Sequence, residues 1–186
     1  MFYHKYNSPL GIIVMQSDGE VLIGLWFENG VDSAKLNLGE EKELLIFKKT
    51  AKWLDIYFGG TSPNFIPKYK ILNMTPFREL VIKIIEKIPY GKTISYNDIA
   101  LKIAKQLGIK KMSPQAVGNA VGWNPICIIV PCHRVVGANG NLTGYRGGLK
   151  NKVELLRLEH NDMNKFSMPK NKNKISNIVL KKTIYK

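Results

Sequence analysis

Apolar positions change character partway along the chain. Ile12-Ile13-Val14-Met15 and Val21-Leu22-Ile23-Gly24-Leu25-Trp26-Phe27 form short dense blocks on either side of Ser17-Asp18-Gly19-Glu20. Two such blocks around an Asp-Gly turn predict a β-hairpin. From Glu40 to Phe58 the period becomes helical, with Leu44, Phe47, Ala51, Leu54 and Phe58 in register before Gly59-Gly60. Thr61 to Met74 contains Pro63 and Pro67 and reads as an extended connector.

The second half predicts mainly helices. Thr75-Pro76 is an N-cap followed by proline at the first helical position, and Leu80, Val81, Ile84, Ile85 and Ile88 make an apolar stripe that ends at Pro89-Tyr90-Gly91. Ser95 and Asp98 form a capping-box pattern opening a helix from Tyr96 to Leu107, closed by Gly108. Ser113-Pro114 caps a further helix from Gln115 to Trp123. These two short helices suggest a helix-turn-helix. Ala116, Gly118, Ala120 and Gly122 are expected to leave one bare face on the second of them, approached by another helix or by a nucleic-acid groove. Val135 to Leu142 reads as a strand entering an Asn139-Gly140 turn. Thr143 to Gly148 forms a glycine-rich loop, and Leu149 to Glu159 a last helix with Val153, Leu156 and His160 on one face.

The fold class is therefore α+β. Residues 1–74 make a small α/β domain of antiparallel strands plus a helix, joined by the connector to a helix-turn-helix domain at 75–160 of winged type. Residues 161–186 form a Lys/Asn-rich, loosely ordered tail in which Ile178-Val179-Leu180 could dock.

Charge sharpens this division. Residues 1–74 hold 8 Lys and 8 acids, residues 75–160 hold 13 Lys and Arg against 5 acids, and the tail holds 7 Lys and 1 acid. All of the net charge of +14 thus lies beyond the first domain. A basic domain joined to a neutral one is the electrostatic footprint of a polyanion binder. No apolar run approaches the roughly 20 residues that span a bilayer, and Met1 to Tyr6 carries no signal-like apolar core. Two cysteines close together make no disulfide framework, so a cytoplasmic, membrane-free protein is expected.

Candidate chemistry centres on Pro131-Cys132-His133-Arg134, which follows the apolar run Ile126 to Val130. That run is expected to be a short buried strand ended by Pro131. Cys132 would then lie at the lip of the core beside an imidazole and a guanidinium, which favour its thiolate. Neighbouring side chains on a strand face opposite ways, so Cys132 and His133 can cooperate only if the chain turns or something bridges them. Cys127, flanked by isoleucines, reads as packing. A cysteine hydrolase is the rival enzyme reading, and it leaves the helix-turn-helix and the charge division without a purpose.

From Thr75 to Glu159 the chain resembles the O6-alkylguanine-DNA alkyltransferases, also called methylated-DNA–protein-cysteine methyltransferases. The landmarks are Pro89-Tyr90-Gly91-Lys92-Thr93-Ile94-Ser95-Tyr96, Ala116-Val117-Gly118, Asn124-Pro125, Pro131 to Val136, and Thr143-Gly144-Tyr145-Arg146-Gly147-Gly148. The resemblance implies DNA repair by a single-turnover transfer of the alkyl group from O6-alkylguanine to Cys132, with O4-methylthymine as a further substrate. His133 would act as base through a water held by Glu159. Tyr96 would donate to the departing guanine, and Asn124 would tie the recognition helix to the active-site strand. The carbonyls of Cys132 and Val135 would read the exocyclic amine, and Tyr145, Arg146 and Gly147 would wall the pocket. Gln115, Ala116, Gly118, Asn119, Ser95 and Arg134 would meet double-stranded DNA from the minor groove, with the damaged nucleotide rotated out of the stack.

Three features depart from familiar members or bear on the cofactor. Gln115 stands where they place an arginine finger, so base extrusion is expected to be less strongly assisted. Arg146 replaces a small residue, which is expected to favour methyl over bulky adducts. Some members carry an N-terminal zinc site, but His4 is the sole nearby candidate here, so neither metal nor cofactor is expected. The protein is expected to act as a monomer, and the tail to add sequence-independent DNA affinity.

Overall fold

A computed structural model describes residues 1–30 and 38–168. The chain begins with three antiparallel strands, β1 (Phe2–Ser8), β2 (Gly11–Ser17) and β3 (Leu22–Phe27), so the expected hairpin is preceded by a strand not foreseen. Polar residues conceal β1, whose sequence FYHKYNS offers no apolar block. A fourth strand, β4 (Glu40–Glu41), runs parallel to Phe2-Tyr3, giving the order β3-β2-β1-β4. The helix expected from Glu40 therefore starts later, as α1 (Leu45–Phe58). Its buried face is Ile46, Phe47, Thr50, Trp53, Leu54 and Tyr57, rotated from the expected stripe so that Leu44, Ala51 and Phe58 lie at its flank.

The second half packs α2 (Pro76–Ile85), α3 (Tyr96–Leu107), α4 (Pro114–Gly122) and α5 (Leu149–Leu158) around a short parallel pair, β5 (Ile94–Ser95) with β6 (Val135–Val136). The capping signals hold. Thr75 Oγ1 accepts from Arg78 N at 3.3 Å, and Ser113 Oγ accepts from Ala116 N at 3.4 Å. Ser95 and Asp98 form the reciprocal capping box, and Gly108 ends α3 in the left-handed conformation at φ 64°. Such caps satisfy amide donors that a helix leaves open at its start. Arg78 lies 4.0 Å over the ring of Trp123, fastening α2 to the end of α4.

Strand β3 joins the halves. It is at the sheet's edge, and an open edge invites pairing. Here Leu22 exchanges hydrogen bonds with the connector, Leu22 N to Lys68 O at 3.0 Å and Lys70 N to Leu22 O at 2.7 Å. Leu25 does the same with the segment that leads to Cys132, Leu25 N to Pro125 O and Cys127 N to Leu25 O, both at 2.8 Å. One apolar core consequently runs from Ile13 and Leu25 through Val81, Ile99 and Val117 to Cys132 and Leu155.

Three further expectations are corrected. Ile126 to Val130 is buried but is a turn, not a strand, because only Ile126 bridges to Leu25 and Ile128 adopts φ 69°. The residues Ala116, Gly118, Ala120 and Gly122 do not share a face: Ala120 is buried and Gly122 exposed, since a spacing of two residues alternates sides of a helix. His160 lies beyond α5 at φ 59° and is exposed.

The start of the tail is also ordered. Leu142 N donates to Ser167 O at 2.8 Å, and Ser167 N donates to Gly140 O at 3.1 Å. Met163, Phe166 and Met168 cover a second apolar cluster of Val136, Leu142, Val153 and Leu156. Ile178-Val179-Leu180 lies outside the described residues. Phe166→Ala should lower unfolding stability by about 1–2 kcal/mol through exposure of this cluster. Urea denaturation would show it, and an unchanged midpoint would mean that the segment does not hold the cluster closed.

Candidate active site

Pro131 ends the buried turn, and Cys132-His133-Arg134 then form one turn of 3₁₀ helix before β6. This turn solves the facing problem of adjacent residues, because all three side chains point inward: Cys132 is 5 % exposed, His133 0 % and Arg134 9 %. The turn is fixed from α4. Asn124, just past the helix, donates from Nδ2 to Ile126 O at 3.2 Å, to Val130 O at 2.9 Å and to Cys132 Sγ at 3.1 Å, while its Oδ1 accepts from Ile126 N at 3.0 Å. One amide therefore holds both ends of the turn and the sulfur. Ile128 pays for this geometry with a β-branched residue in left-handed backbone, at a cost of about 1–3 kcal/mol.

Behind the thiol lies a buried carboxylate. Glu159, at the end of α5, is 1 % exposed. Its Oε1 accepts from Tyr57 Oη at 2.7 Å and Arg134 Nη2 at 2.8 Å, and lies 2.8 Å from His133 Nε2. Its Oε2 accepts from Arg134 Nε at 2.9 Å and Gly91 N at 3.2 Å. Burial alone would raise the carboxyl's pKa, but His133 and Arg134 outweigh it and hold it at about 2. The carboxylate is thus ionised, and His133 donates to it from Nε2, which leaves the lone pair on Nδ1. Burial depresses the imidazole below its ordinary value, with Glu159 opposing, so the ring is neutral at neutral pH. Nδ1 meets no protein hydrogen-bond partner.

Two expectations about this cluster change. Glu159, expected to hold the water between His133 and the thiol, instead holds the imidazole itself, at 2.8 Å from Nε2. Arg134, expected to meet DNA, faces inward onto Glu159 and Ile88 O, the latter at 2.6 Å, because a buried carboxylate needs a cation beside it. The cation near the thiol is instead Lys152, which is fully buried. Its Nζ donates to Val135 O at 2.6 Å and Thr143 O at 2.9 Å, and lies 6.0 Å from the Tyr96 ring centroid. Desolvation brings this ammonium down to about 8. The Cys132 thiol is lowered, first through the Cys127 side chain, then by Asn124 and Lys152, against the opposing effect of burial.

The remaining pocket residues gather around the sulfur. Tyr96 opens α3, and burial followed by the Cys132 charge pushes its hydroxyl up to about 12, so it remains a proton donor. The Tyr145 ring meets His133 edge-on at 6.4 Å. Gly147 is required here, because a Cβ would lie 2.6 Å from both the Tyr145 and Phe27 rings. Val135 O, expected to read the base, already accepts from Lys152 and keeps its second lone pair. Arg146 lines a cavity of about 240 Å³ at the junction of the halves with Trp26, Phe27, Trp123 and Cys127.

The surface residues are more dispersed. Gln115 and Asn119 are exposed on α4, Ala116 and Gly118 are half-buried, and the Ser95 hydroxyl is engaged in the α3 cap with Asp98 at 2.7 Å. The residue that sequence reasoning missed is Tyr57. It comes from α1, fully across the junction, and only its helical position beside Trp53 and Leu54 hinted that it was buried. Lys152 was also left open, since nothing in sequence separates a buried lysine from an exposed one on α5.

Comparison with known proteins bears on the family of the chain. Residues 76–161 match the family model "6-O-methylguanine DNA methyltransferase, DNA binding domain", and residues 1–66 match "6-O-methylguanine DNA methyltransferase, ribonuclease-like domain". A methylated-DNA–protein-cysteine methyltransferase of Methanosarcina acetivorans is 40% identical over 86% of this chain and 98% of its own length. One from Haemophilus influenzae is 35% identical over 86% of both chains. Among solved structures, Mycobacterium tuberculosis OGT in complex with DNA superposes with a TM-score of 0.73 at 37% identity, covering 86% of this chain and 92% of that one.

Tyr57→Phe removes one hydroxyl from Glu159 and leaves the ring packing. It should lower stability by about 1–2 kcal/mol and slow reaction of Cys132 severalfold. Chemical denaturation and single-turnover rates check both, and unchanged values would assign Tyr57 to packing. The Glu159 carboxyl is depressed on folding from an ordinary value of about 4.3, so its contribution is present above that value and is lost as pH falls towards about 2. Acid unfolding should show a stability decline through that window that is missing in Glu159→Gln. The variant should itself be about 3–5 kcal/mol less stable at pH 7, because Arg134 is left buried without its partner.

Proposed function

The chain belongs to the methylated-DNA–protein-cysteine methyltransferase family, and on that premise we propose how its residues carry out the transfer. The protein is a DNA-repair enzyme that moves the alkyl group of O6-alkylguanine onto its own cysteine. Cys132 is the acceptor. Its proton passes by way of a water to Nδ1 of His133, whose orientation Glu159 holds from the opposite nitrogen. The thiolate attacks the alkyl carbon in line, an S–C bond forms, and the C–O6 bond breaks with its electron pair going to the purine. Tyr96 hands its proton to the purine, leaving neutral guanine, and solvent returns the proton held by the His133 imidazolium to the Tyr96 phenolate. The thioether cannot be displaced again, so each molecule acts once. The observation that carries this reading is a buried thiol held by Asn124, beside a neutral imidazole fixed by an ionised carboxylate.

Asn124 holds the acceptor in place and Lys152 holds the Val135 and Thr143 carbonyls at the pocket wall. Tyr145, Arg146 and Gly147 complete that wall, and Val135 O offers its free lone pair to the exocyclic amine. Arg146 narrows the pocket in favour of methyl. DNA approaches α4 through the minor groove. Protein packing requires neither glycine of this helix: a Cβ at Gly118 would make an ordinary 3.8 Å contact with Tyr96, and one at Gly122 would meet nothing within 4 Å. A nucleic-acid backbone or base stack is therefore a reason for both. Gln115 and Asn119 would project into the groove, with Gln115 filling the gap left by the rotated nucleotide. Ser95 meets DNA through the start of α3 while its side chain serves the cap. The enzyme acts as a monomer in the cytoplasm, with O4-methylthymine as a secondary substrate, and it divides at the 61–74 connector into an N-terminal domain and a catalytic, DNA-binding one. No described helix is long and apolar enough to cross a membrane.

Intact-protein mass after incubation with a duplex carrying one O6-methylguanine should rise by a single methyl group, saturate at one per molecule and map to Cys132. Cys132→Ala should bind the lesion and gain nothing. Lesion binding by the wild type without a mass gain would leave a non-reacting sensor. Gln115→Arg should repair duplex faster, as a cationic side chain assists extrusion; equal or slower repair would show that glutamine suffices. Deleting residues 169–186 should flatten the dependence of DNA affinity on salt, read as the slope of log K against log salt.

A further inference from the structure

Residues 1–74 are neutral as a whole, with 8 Lys and 8 acids, yet three of those lysines gather in one place. Lys49 and Lys52 of α1 and Lys68 of the connector line a groove of about 630 Å³, closed on another side by the turn between β2 and β3. All three are exposed, and none is paired with a carboxylate among the described residues. Neighbouring acids are engaged elsewhere: Glu43 pairs with Lys48 at 3.1 Å, Asp55 accepts from Tyr6 Oη at 2.7 Å, and Asp18 accepts from the amides of Glu20 and Val21. Glu20 is the single acid on the groove wall, so three lysines less one carboxylate leave the lining positive. Apolar side chains share the same groove. Leu45 and Ile66 line it, and at 69% and 70% exposure they are the most exposed large hydrophobics among the described residues. Phe65 lies half-buried beside them. Leu45, Lys49 and Lys52 follow one another at helical spacings of four and three, so α1 presents them in a row. A lone exposed aliphatic needs no reason, but two in one groove rimmed by unpaired charge mark a contact surface.

We propose that this groove docks an acidic, extended segment of a partner protein, its apolar side chains seated on Leu45, Phe65 and Ile66 and its carboxylates meeting Lys49, Lys52 and Lys68. Charge selects that occupant. The chain's own residues 169–186 carry 6 Lys and no acid, so the lysines repel them, and a second copy brings the same net charge of +14. A single nucleic-acid strand would satisfy the lysines, but such strands lie on aromatic platforms, whereas the most exposed apolar groups here are aliphatic. The backbone of Phe65 and Ile66 makes no hydrogen bond within the described residues, which leaves amides and carbonyls for an extended peptide to pair with. Lysines at the rim steer an acidic chain towards the groove, and the apolar side chains anchor it there. The site is separate from the chemistry. Tyr57 leaves α1 from its buried face to reach Glu159, while Lys49 and Lys52 leave the same helix into solvent, and the groove takes no residue from the catalytic half.

The test uses the full chain and a fluorescein-labelled peptide of alternating aspartate and leucine, with binding read by fluorescence anisotropy. Two control peptides replace the aspartates by asparagine or the leucines by serine. The wild type should bind the first peptide saturably and each control about tenfold more weakly. Lys49→Glu combined with Lys52→Glu should weaken the first peptide about tenfold or more, and Ile66→Ser about fivefold. Thermal midpoints and single-turnover methyl transfer, both expected at wild-type values, report that the variants are folded. Ile66→Ser leaves every charge in place and decides the matter alone should the charge-reversed variant not fold. Absence of saturable binding, or equal binding of either control, would overturn the proposal. A labelled oligothymidylate is titrated alongside: if charge reversal weakens it as much as the peptide and Ile66→Ser weakens neither, the groove is a nucleic-acid surface and the proposal fails. Sedimentation velocity covers the remaining occupant, since a wild-type dimer that Ile66→Ser dissolves would assign the groove to a second copy and overturn the proposal as well.

Discussion

The Glu159 carboxylate is the interaction on which the rest of the site depends. An ionised group that far from water is tolerated only with donors on both oxygens. The fold supplies them from three separate segments: Tyr57 from α1, Gly91 from the turn before β5, and His133 and Arg134 from the active-site turn. Satisfying this one carboxylate therefore fixes the orientation of the imidazole, the inward course of Arg134 and the approach of α1 to the catalytic half. A site assembled this way is prepared before substrate binds, which spares the reaction the reorganisation that a solvated base would need.

A second constraint works from the opposite side of the thiol. The edge of the N-terminal sheet has to be paired, and it is paired with the segment that carries Cys127. The N-terminal sheet is in this sense part of the catalytic device. It holds one end of the turn at Leu25 while Asn124 holds both ends from α4, and the strained Ile128 is tolerated between them. The exposed amides of α4 and the reacting centre are consequently joined through one short helix: α4 presents Gln115 and Asn119 outward, and Asn124, just past its end, reaches inward to the thiol.

Local signals were the legible part of this chain. Caps at Thr75, Ser95 and Ser113, and the turn at Asn139-Gly140, where both residues have positive φ, depend on a few neighbouring residues and appear directly in sequence. Spatial relations set by distant pairing were not legible. Strand β1 is recognisable only from its partner β2, because its own residues are largely polar. The apolar run from Ile126 to Val130 has the composition of a strand, yet the bridge to Leu25 and the Asn124 amide bend it into a turn. The site showed the same division. Cys132, His133 and Asn124 stand in the sequence as one short stretch. Tyr57 is 75 residues from Cys132 in a different half, and the burial of Lys152 and Arg134 depends on partners that only the folded chain brings near.

Catalysis by this site requires that Glu159 fix a neutral His133 with its hydrogen on Nε2 and its lone pair on Nδ1. Nitrogen-15 NMR of the imidazole in the free protein at pH 7 tests it most directly. The spectrum should show one protonated nitrogen, Nε2, in a hydrogen bond with Glu159, and an unprotonated Nδ1. A ring carrying its hydrogen on Nδ1, or on both nitrogens, would contradict it and would leave the thiol without the base assigned here.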